Sequence, residues 1–133
     1  MNYKIYVVRT KLQKFYDNAI KEYNKRLSRY CKCSLLFVKN KEELLKKLSP
    51  KSYKICISSC GIQLSSEELA HKINHFGVSG KSDIAIIIGT NELPYDECLS
   101  IGPMDMDLGL MATILFEQIY RSYRIINNQP YHK

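Results

Sequence analysis

An uninterrupted apolar run from Asp83 to Gly89 constrains the fold of this chain more than any other segment. Its residues between the aspartate and the glycine are Ile-Ala-Ile-Ile-Ile, without a polar position among them. A strand with one face in water would alternate apolar and polar residues, so this run is typical of a strand buried on both faces. Helices cover both faces of a parallel sheet. The run therefore predicts the central strand of an α/β fold.

The segments around this run alternate between strand and helix patterns. Further strands are predicted at Tyr3 to Val8, Ser34 to Val38 and Lys54 to Ser58, and helices at Phe15 to Tyr30, Lys41 to Leu48, Ser66 to Phe76 and Leu108 to about Ile126. Ser65 and Glu68 have the Ser-x-x-Glu spacing of a capping box before the third helix. The β/α alternation predicts a parallel sheet, and 133 residues predict one domain, 1–133.

Positive charge is concentrated in the first part of the chain. Residues 1–54 contain 15 of the 20 Lys and Arg but only 4 of the 13 Asp and Glu. Such an excess favours a polyanionic partner, with nucleic acid as the candidate, and a lysine-rich solvated surface is the alternative. The candidate RNA-binding residues are Lys11, Lys14, Lys21, Lys25, Arg29, Arg121 and Arg124. Arg121 and Arg124 have a second interpretation, as partners of acids such as Glu117.

Several other classes of protein are disfavoured. The longest apolar run, Leu108 to Phe116, is far shorter than the roughly 18 to 20 residues that span a bilayer, so we expect no membrane association and a cytoplasmic location. The five cysteines form no paired Cys-x-x-Cys framework, which is typical of reduced thiols. His71 and His75 have a metal-chelating spacing but no evident third ligand, so we expect no metal.

The last helix runs into Asn-Asn-Gln-Pro and is followed by Tyr131, His132 and Lys133. We call residues 127–133 the tail. A phenol and an imidazole stand here, where many chains have dispensable polar residues. The unperturbed pKa of histidine, near 6.5, suits proton transfer at neutral pH. The tail is therefore a candidate functional segment, the alternative being that Tyr131 packs at an interface and His132 is solvated.

Glycines are candidates for close backbone approach to a small molecule. Gly61, Gly89 and Gly102 follow predicted strands or lie near their ends, and in open α/β sheets ligands bind beyond the carboxyl ends of strands. The alternative is that they only end strands, as glycines do in many α/β proteins.

Four segments together resemble the small SPOUT-class methyltransferases that methylate N3 of a pseudouridine in large-subunit ribosomal RNA. They are Arg9-Thr10-Lys11, Tyr23 to Leu27, Gln118 to Arg121, and Pro130-Tyr131-His132-Lys133. The resemblance covers essentially the whole chain, and the tail is its most specific part.

The resemblance implies a parallel-sheet α/β/α sandwich with a C-terminal trefoil knot, an obligate homodimer, and S-adenosylmethionine bound in the knot. It maps the cofactor contacts onto Ile57, Gly89, Ile101, Gly102, Pro103, Met104, Asp105 and Met106. The implied substrate is 23S rRNA on the ribosome. We expect Tyr131 and His132 to hold the target base in the partner's knot and to assist loss of its proton.

Two segments depart from the family pattern. After Gly89 the chain reads Thr90-Asn91-Glu92-Leu93-Pro94 where a second glycine is usual, and before the last helix it reads Asp105-Met106-Asp107-Leu108. The two carboxylates are expected to weaken cofactor binding or to repel RNA phosphate. The competing interpretation is therefore a catalytically silent dimer that still binds the ribosome, and a dimeric structural protein ranks last.

Overall fold

The computed structural model describes residues 1–132; Lys133 lies outside the described residues. Its elements are β1 (Asn2–Val8), α1 (Lys14–Leu27), β2 (Lys32–Val38), α2 (Lys41–Lys47), β3 (Tyr53–Gln63), α3 (Ser66–Val78), β4 (Asp83–Ile88), β5 (Glu97–Ser100) and α4 (Leu108–Ile126). The predicted α/β class is confirmed. The predicted capping box is also present, since Ser65 and Glu68 bond reciprocally to each other's backbone N–H.

The strands form one sheet in the order β2-β1-β4-β3-β5, and all the neighbouring pairs are parallel. The apolar run forms β4, which is the middle strand, as its composition predicts. Ile86 of β4 faces one hydrophobic core and Ile87 faces the other, so neither face of this strand tolerates a polar side chain.

The two faces of the sheet are covered unequally. Helix α4 packs between α1 and α3 on one face, and α2 lies on the other. The hydroxyls of Tyr3 on β1 and Tyr123 on α4 hydrogen-bond at 2.8 Å, which joins the sheet to α4 inside the larger core. The apolar side chains of α1 lie in the same core, with Ile20 and Leu27 buried.

Two features of the sheet differ from the sequence predictions. Strand β5 was not predicted, because four residues of mixed polarity carry no clear period. Strand β3 continues to Gln63 rather than ending at Ser58. Ile57 and Ile62 both pair with Leu99, so the residues between them bulge out of the ladder.

Gly61 lies in this bulge, and its role differs from the predicted one. A Cβ at this position would lie 2.6 Å from the carbonyl carbon of Leu99, within β5. The close approach that requires a glycine here is therefore an approach of two strands of the protein, not of a ligand.

Candidate active site

The carboxyl ends of the strands meet around a cavity of about 340 Å³. In open parallel sheets this edge is where ligands bind, and the volume lies in the range of small-molecule sites. The lining residues come from the bulge of β3, from the segments that follow β4 and β5, and from the start of α4. They are Ile57, Ser58, Ser59, Gly89, Thr90, Asn91, Ile101, Gly102, Met104, Asp105, Met106, Leu108 and Met111.

The structure brings together almost all of the predicted cofactor contacts. Every one of them except Pro103 lines the cavity, and Pro103 is exposed beside it. Sequence reasoning missed the polar residues Ser58, Thr90 and Asn91, which lie next to predicted contacts in the chain. It also missed Leu108 and Met111, because their positions depend on where α4 packs.

Backbone rather than side chain forms the cavity wall at Gly89. Its φ of 106° is in the region that favours glycine, and a Cβ would lie 3.0 Å from the Cβ of Val8 and 3.3 Å from the Leu108 side chain. The hydroxyl of Ser100, which is buried, accepts a bond from the N–H of Gly102 at 3.1 Å and lies 2.8 Å from the carbonyl oxygen of Gly102. These contacts hold the loop after β5 in place.

The two acidic residues of the loop before α4 have different environments. Asp107 caps α4 by accepting a bond from the N–H of Gly109 at 2.9 Å, and its other oxygen pairs with Arg9 at 3.3 Å. The negative charge of Asp107 is therefore compensated by groups of the protein itself. Asp105 lines the cavity and is exposed. A carboxylate in that position favours a ligand that carries positive charge.

A second cavity of about 230 Å³ adjoins the first. Ile57 and Ile101 line both cavities, and the rest of the second one is lined by residues of β5, of α4, and of α3 and the segment before it. Its lining includes the apolar side chains of Leu64, Leu69 and Leu115. The first cavity is thus lined by polar and apolar residues, and the second mainly by apolar ones.

The described part of the tail, residues 127–132, folds back along α4. Arg124 holds the turn: its guanidinium donates to the carbonyl of Pro130 at 2.9 Å and to the side chain of Gln129 at 3.2 Å. The hydroxyl of Tyr30 also donates to Gln129. Asn128 has a φ of 54°, a value that asparagine tolerates better than most residues.

Tyr131 packs against α4 and donates its hydroxyl hydrogen to Glu117 at 2.8 Å. Its ring meets the edge of the Tyr120 ring, with 4.9 Å between centroids, and the Arg121 guanidinium lies 4.8 Å from its centroid. Partial burial and the bond to the carboxylate raise the pKa of Tyr131 above its usual range. The phenol is therefore protonated at neutral pH and acts as a hydrogen-bond donor.

His132 lies between a cation and a carboxylate. Its Nδ1 is 3.1 Å from Nη1 of Arg121, and its Nε2 bonds to Glu67 in the first turn of α3. A guanidinium can only donate, so Nδ1 accepts and the ring proton lies on Nε2. The bond from His132 lowers the pKa of Glu67. Glu67 thus orients the imidazole, in the way that carboxylates orient catalytic histidines.

The basic residues predicted to bind RNA fall into two groups. Lys11, Lys14, Lys21, Lys25 and Arg29 are exposed on or beside α1. Within this group Lys21 pairs with Asp17 on the same helix at 3.0 Å. Arg121 and Arg124 contact more distant parts of the protein, Glu117 and His132 for the first and the turn of the tail for the second. Of their two interpretations, the structure favours the pairing one, with both arginines positioning the tail.

The tail does not reach the cavity of its own protomer. Glu117, the contact of Tyr131, is six residues along α4 from Met111, which is about 9 Å at the helical rise. Neither Tyr131 nor His132 is among the residues that line either cavity.

Two other sequence predictions concern metals and membranes. His71 and His75 are both exposed on α3. Within residues 1–132, His, Cys, Asp and Glu form no group of three or more suited to a metal ion. No helix in the same range combines the length and the apolar character needed to cross a bilayer.

Comparison with known proteins gives matches over the full chain. The sequence model of a family described as "Predicted SPOUT methyltransferase" matches residues 1–132. Proteins called ribosomal RNA large subunit methyltransferase H 1 from Thermoanaerobacter sp. and H 2 from Thermoanaerobacter pseudethanolicus are each 55% identical over 133 residues, covering 100% of both sequences. A ribosomal RNA large subunit methyltransferase H from Shouchella clausii is 38% identical over 159 aligned residues, with 100% of each chain covered.

Proposed function

This chain belongs to the SPOUT methyltransferase family, and from that membership we propose that it transfers a methyl group from S-adenosylmethionine to N3 of a pseudouridine in 23S ribosomal RNA. The observation that carries the proposal is the full-length identity of 55% to proteins named as methyltransferases of large-subunit ribosomal RNA. Membership also implies the family's trefoil knot near the loop before α4. A cytoplasmic location follows from the substrate.

The residues around the larger cavity suit S-adenosylmethionine. Ile57, Ile101 and Met106 offer an apolar slot for adenine, and the backbone at Gly89 and Gly102 offers donors and acceptors for the adenine edge. The carboxylate of Asp105, which was expected from the sequence to weaken cofactor binding, supplies negative charge that suits a ligand with a positive sulfur and an ammonium group. When bound, the cofactor supplies a methyl group that is already activated for transfer.

The chain's own residues then have to position the base and remove one proton. N3 of a neutral pseudouridine carries a hydrogen and lies between two carbonyl groups. Tyr131, being protonated, is suited to donate to one of these carbonyls. His132 is suited to accept the N3 proton at Nδ1 once Arg121 moves away, while Glu67 holds the Nε2 proton.

We propose that these groups act across a homodimer. Neither Tyr131 nor His132 lines a cavity of its own protomer, and in this proposal a second copy brings the two side chains to the cavity. Apolar side chains near the cavity support such an interface: Ile62 is 69% exposed, Met104 76% and Leu110 38%. Covering them with a second copy removes apolar surface from water.

We assign RNA contact to the lysines and the arginine on or beside α1 rather than to Arg121 and Arg124. All five side chains of that group face solvent. Their neutralisation of phosphates would make ribosome binding fall steeply with salt.

Two measurements test the proposed function. Calorimetry is expected to detect binding of S-adenosylmethionine and of its demethylated product to the purified protein. Mass spectrometry is expected to find one methyl group fewer on 23S rRNA from cells that lack the gene. Binding of ribosomes without binding of either cofactor form would favour the silent dimer. A protein that binds neither cofactor nor ribosome would contradict both interpretations.

Replacing Gly89 with alanine is expected to weaken cofactor binding at least tenfold. The new Cβ would be strained at a φ of 106° and would press on Val8 and Leu108, displacing the cavity wall. Gly80→Ala is the matched control, since Gly80 has a φ of 81° but nothing within 4 Å of the added Cβ. Calorimetry should find normal cofactor affinity in that control. Equal losses in both variants would mean that backbone strain alone, not cavity shape, governs affinity.

A further inference from the structure

Phe15 is an aromatic side chain that the fold leaves 62% exposed. It is the second residue of α1, and the short loop before it begins where β1 ends at Val8. Val8 in turn lies next to Gly89, where an added Cβ would be 3.0 Å from the Val8 side chain. Phe15 therefore stands on the edge of the sheet that holds the cavity.

The ring of Phe15 is held in place by its packing on Tyr16. It lies 4.4 Å, centroid to centroid, from the ring of Tyr16. Tyr16 is pressed against α4 so closely that a Cβ on Gly109 would be 2.5 Å from its ring. The residue before Gly109 is Leu108, which lines the cavity. Phe15 is thus an exposed flat surface held in a fixed relation to the cavity.

Positive charge flanks this surface. Lys11 and Lys14 are both exposed, and among residues 1–132 neither takes part in an ion pair. Arg9, in the same loop, pairs with Asp107 at 3.3 Å and so ties the loop to the start of α4. An exposed ring beside unpaired cations is the combination that single-stranded nucleic acids bind, by base stacking and phosphate contact.

The chemistry of the substrate calls for such a surface. N3 lies on the pairing edge of the base, so a pseudouridine is reactive only when it is unpaired. When the unpaired target base is turned out of the stack to enter the cavity, the nucleotides next to it lose a stacking neighbour and present an open face. We propose that Phe15 stacks on an unpaired nucleobase adjacent to the target, while Lys11 and Lys14 bind the flanking phosphates. This inference rests on the proposed function and names the substrate contact that orients the RNA.

The test compares three substitutions at Phe15. Methyl transfer is measured on ribosomes from cells that lack the enzyme. Phe15→Ala and Phe15→Leu are expected to lower kcat/KM for ribosomes about 5- to 150-fold, the effect of losing one base–aromatic stack. Phe15→Trp should stay within about twofold of the wild type because it keeps a stacking face. Cofactor affinity and dimer mass should be unchanged in all three.

Three outcomes would overturn the inference. Unchanged kcat/KM in Phe15→Ala would remove any role in RNA binding. Full activity in Phe15→Leu would mean that position 15 makes a simple apolar contact with RNA rather than a stacking contact. Dissociation of the Phe15→Ala dimer would assign the side chain to the subunit interface instead.

A cross-linking experiment separates this inference from the proposed function. p-Azidophenylalanine at position 15 is expected to cross-link to 23S rRNA next to the methylated nucleotide. The control places it at Val78, which is 80% exposed at the end of α3, on the opposite edge of the sheet. A wild-type protein that transfers no methyl group would overturn the proposed function alone, since the cross-link still decides whether position 15 meets RNA. No cross-link above the Val78 control would overturn the stacking.

Discussion

Deleting Tyr131, His132 and Lys133 is expected to lower kcat about 10²- to 10⁴-fold, the usual contribution of a positioned acid or base. Cofactor affinity and dimer mass should remain close to those of the full chain, because neither Tyr131 nor His132 lines a cavity of its own protomer. Methyl transfer to ribosomes, calorimetry and sedimentation measure the three quantities. Removal of Lys133 alone is the matched control and should leave activity largely intact.

Two single substitutions separate the contributions of His132 and Tyr131 to the effect of this deletion. His132→Gln keeps hydrogen-bonding capacity but not basicity, so it should lower kcat with little change in KM. Tyr131→Phe removes the hydroxyl that bonds to Glu117, at 2.8 Å in the structure, and should cost less. Full activity in the deleted protein would end the proposal that the tail assists the reaction.

A mixed dimer tests whether the tail acts on the partner's cavity. One subunit lacks residues 131–133 and the other carries Gly89→Ala. The intact tail of the second subunit then meets the intact cavity of the first. One of the two sites should work if the tail acts in trans. Neither site would work if each tail served its own cavity.

Replacing Gly61 with alanine is expected to lower the free energy of unfolding by about 3 kcal/mol, at the upper end of typical overpacking costs. The added Cβ would lie 2.6 to 2.8 Å from backbone atoms of Leu99, and backbone in a sheet cannot move aside as a side chain can. Urea unfolding at a fixed protein concentration measures the change.

Gly77 provides the matched control for this substitution. It lies within α3 with nothing inside 4 Å of an added Cβ. Gly77→Ala should therefore raise the free energy of unfolding by about 0.5 to 1 kcal/mol, because alanine loses less conformational freedom in a helix. Similar shifts in the two variants would contradict the close packing of β3 on β5.

Most residues that line the cavity could be predicted, some from the strand pattern of the sequence and others only from the family resemblance. Gly89 follows the most apolar strand of the chain, and the rule that ligands bind beyond strand ends applies to it directly. Apart from Gly102, the loop from Ile101 to Met106 was assigned by resemblance only, since β5 before it has no readable period. The part of the cavity formed by Met111 was missed, because it depends on how α4 packs.

The tail shows the same division. A functional role of Tyr131 and His132 was predicted from the residue types in the tail and from the family resemblance, and it stays a prediction. The contacts of Tyr131 with Glu117 and of His132 with Glu67 could not be predicted, because Glu117 and Glu67 lie on two different helices. The pairing of Asp107 with Arg9, 98 positions apart, likewise changes the expected effect of the acidic loop.

By itself the sequence determined several local elements of this protein: the central strand, the capping box of α3 and the basic side of α1. These depend on the period of apolar residues and on hydrogen bonds a few positions apart, so each segment carries its own signal. Only the tertiary structure decided the pairing of β5, the extension of β3 past its bulge and the course of the tail. Those features depend on contacts between residues distant in the chain, whose energies no local pattern records.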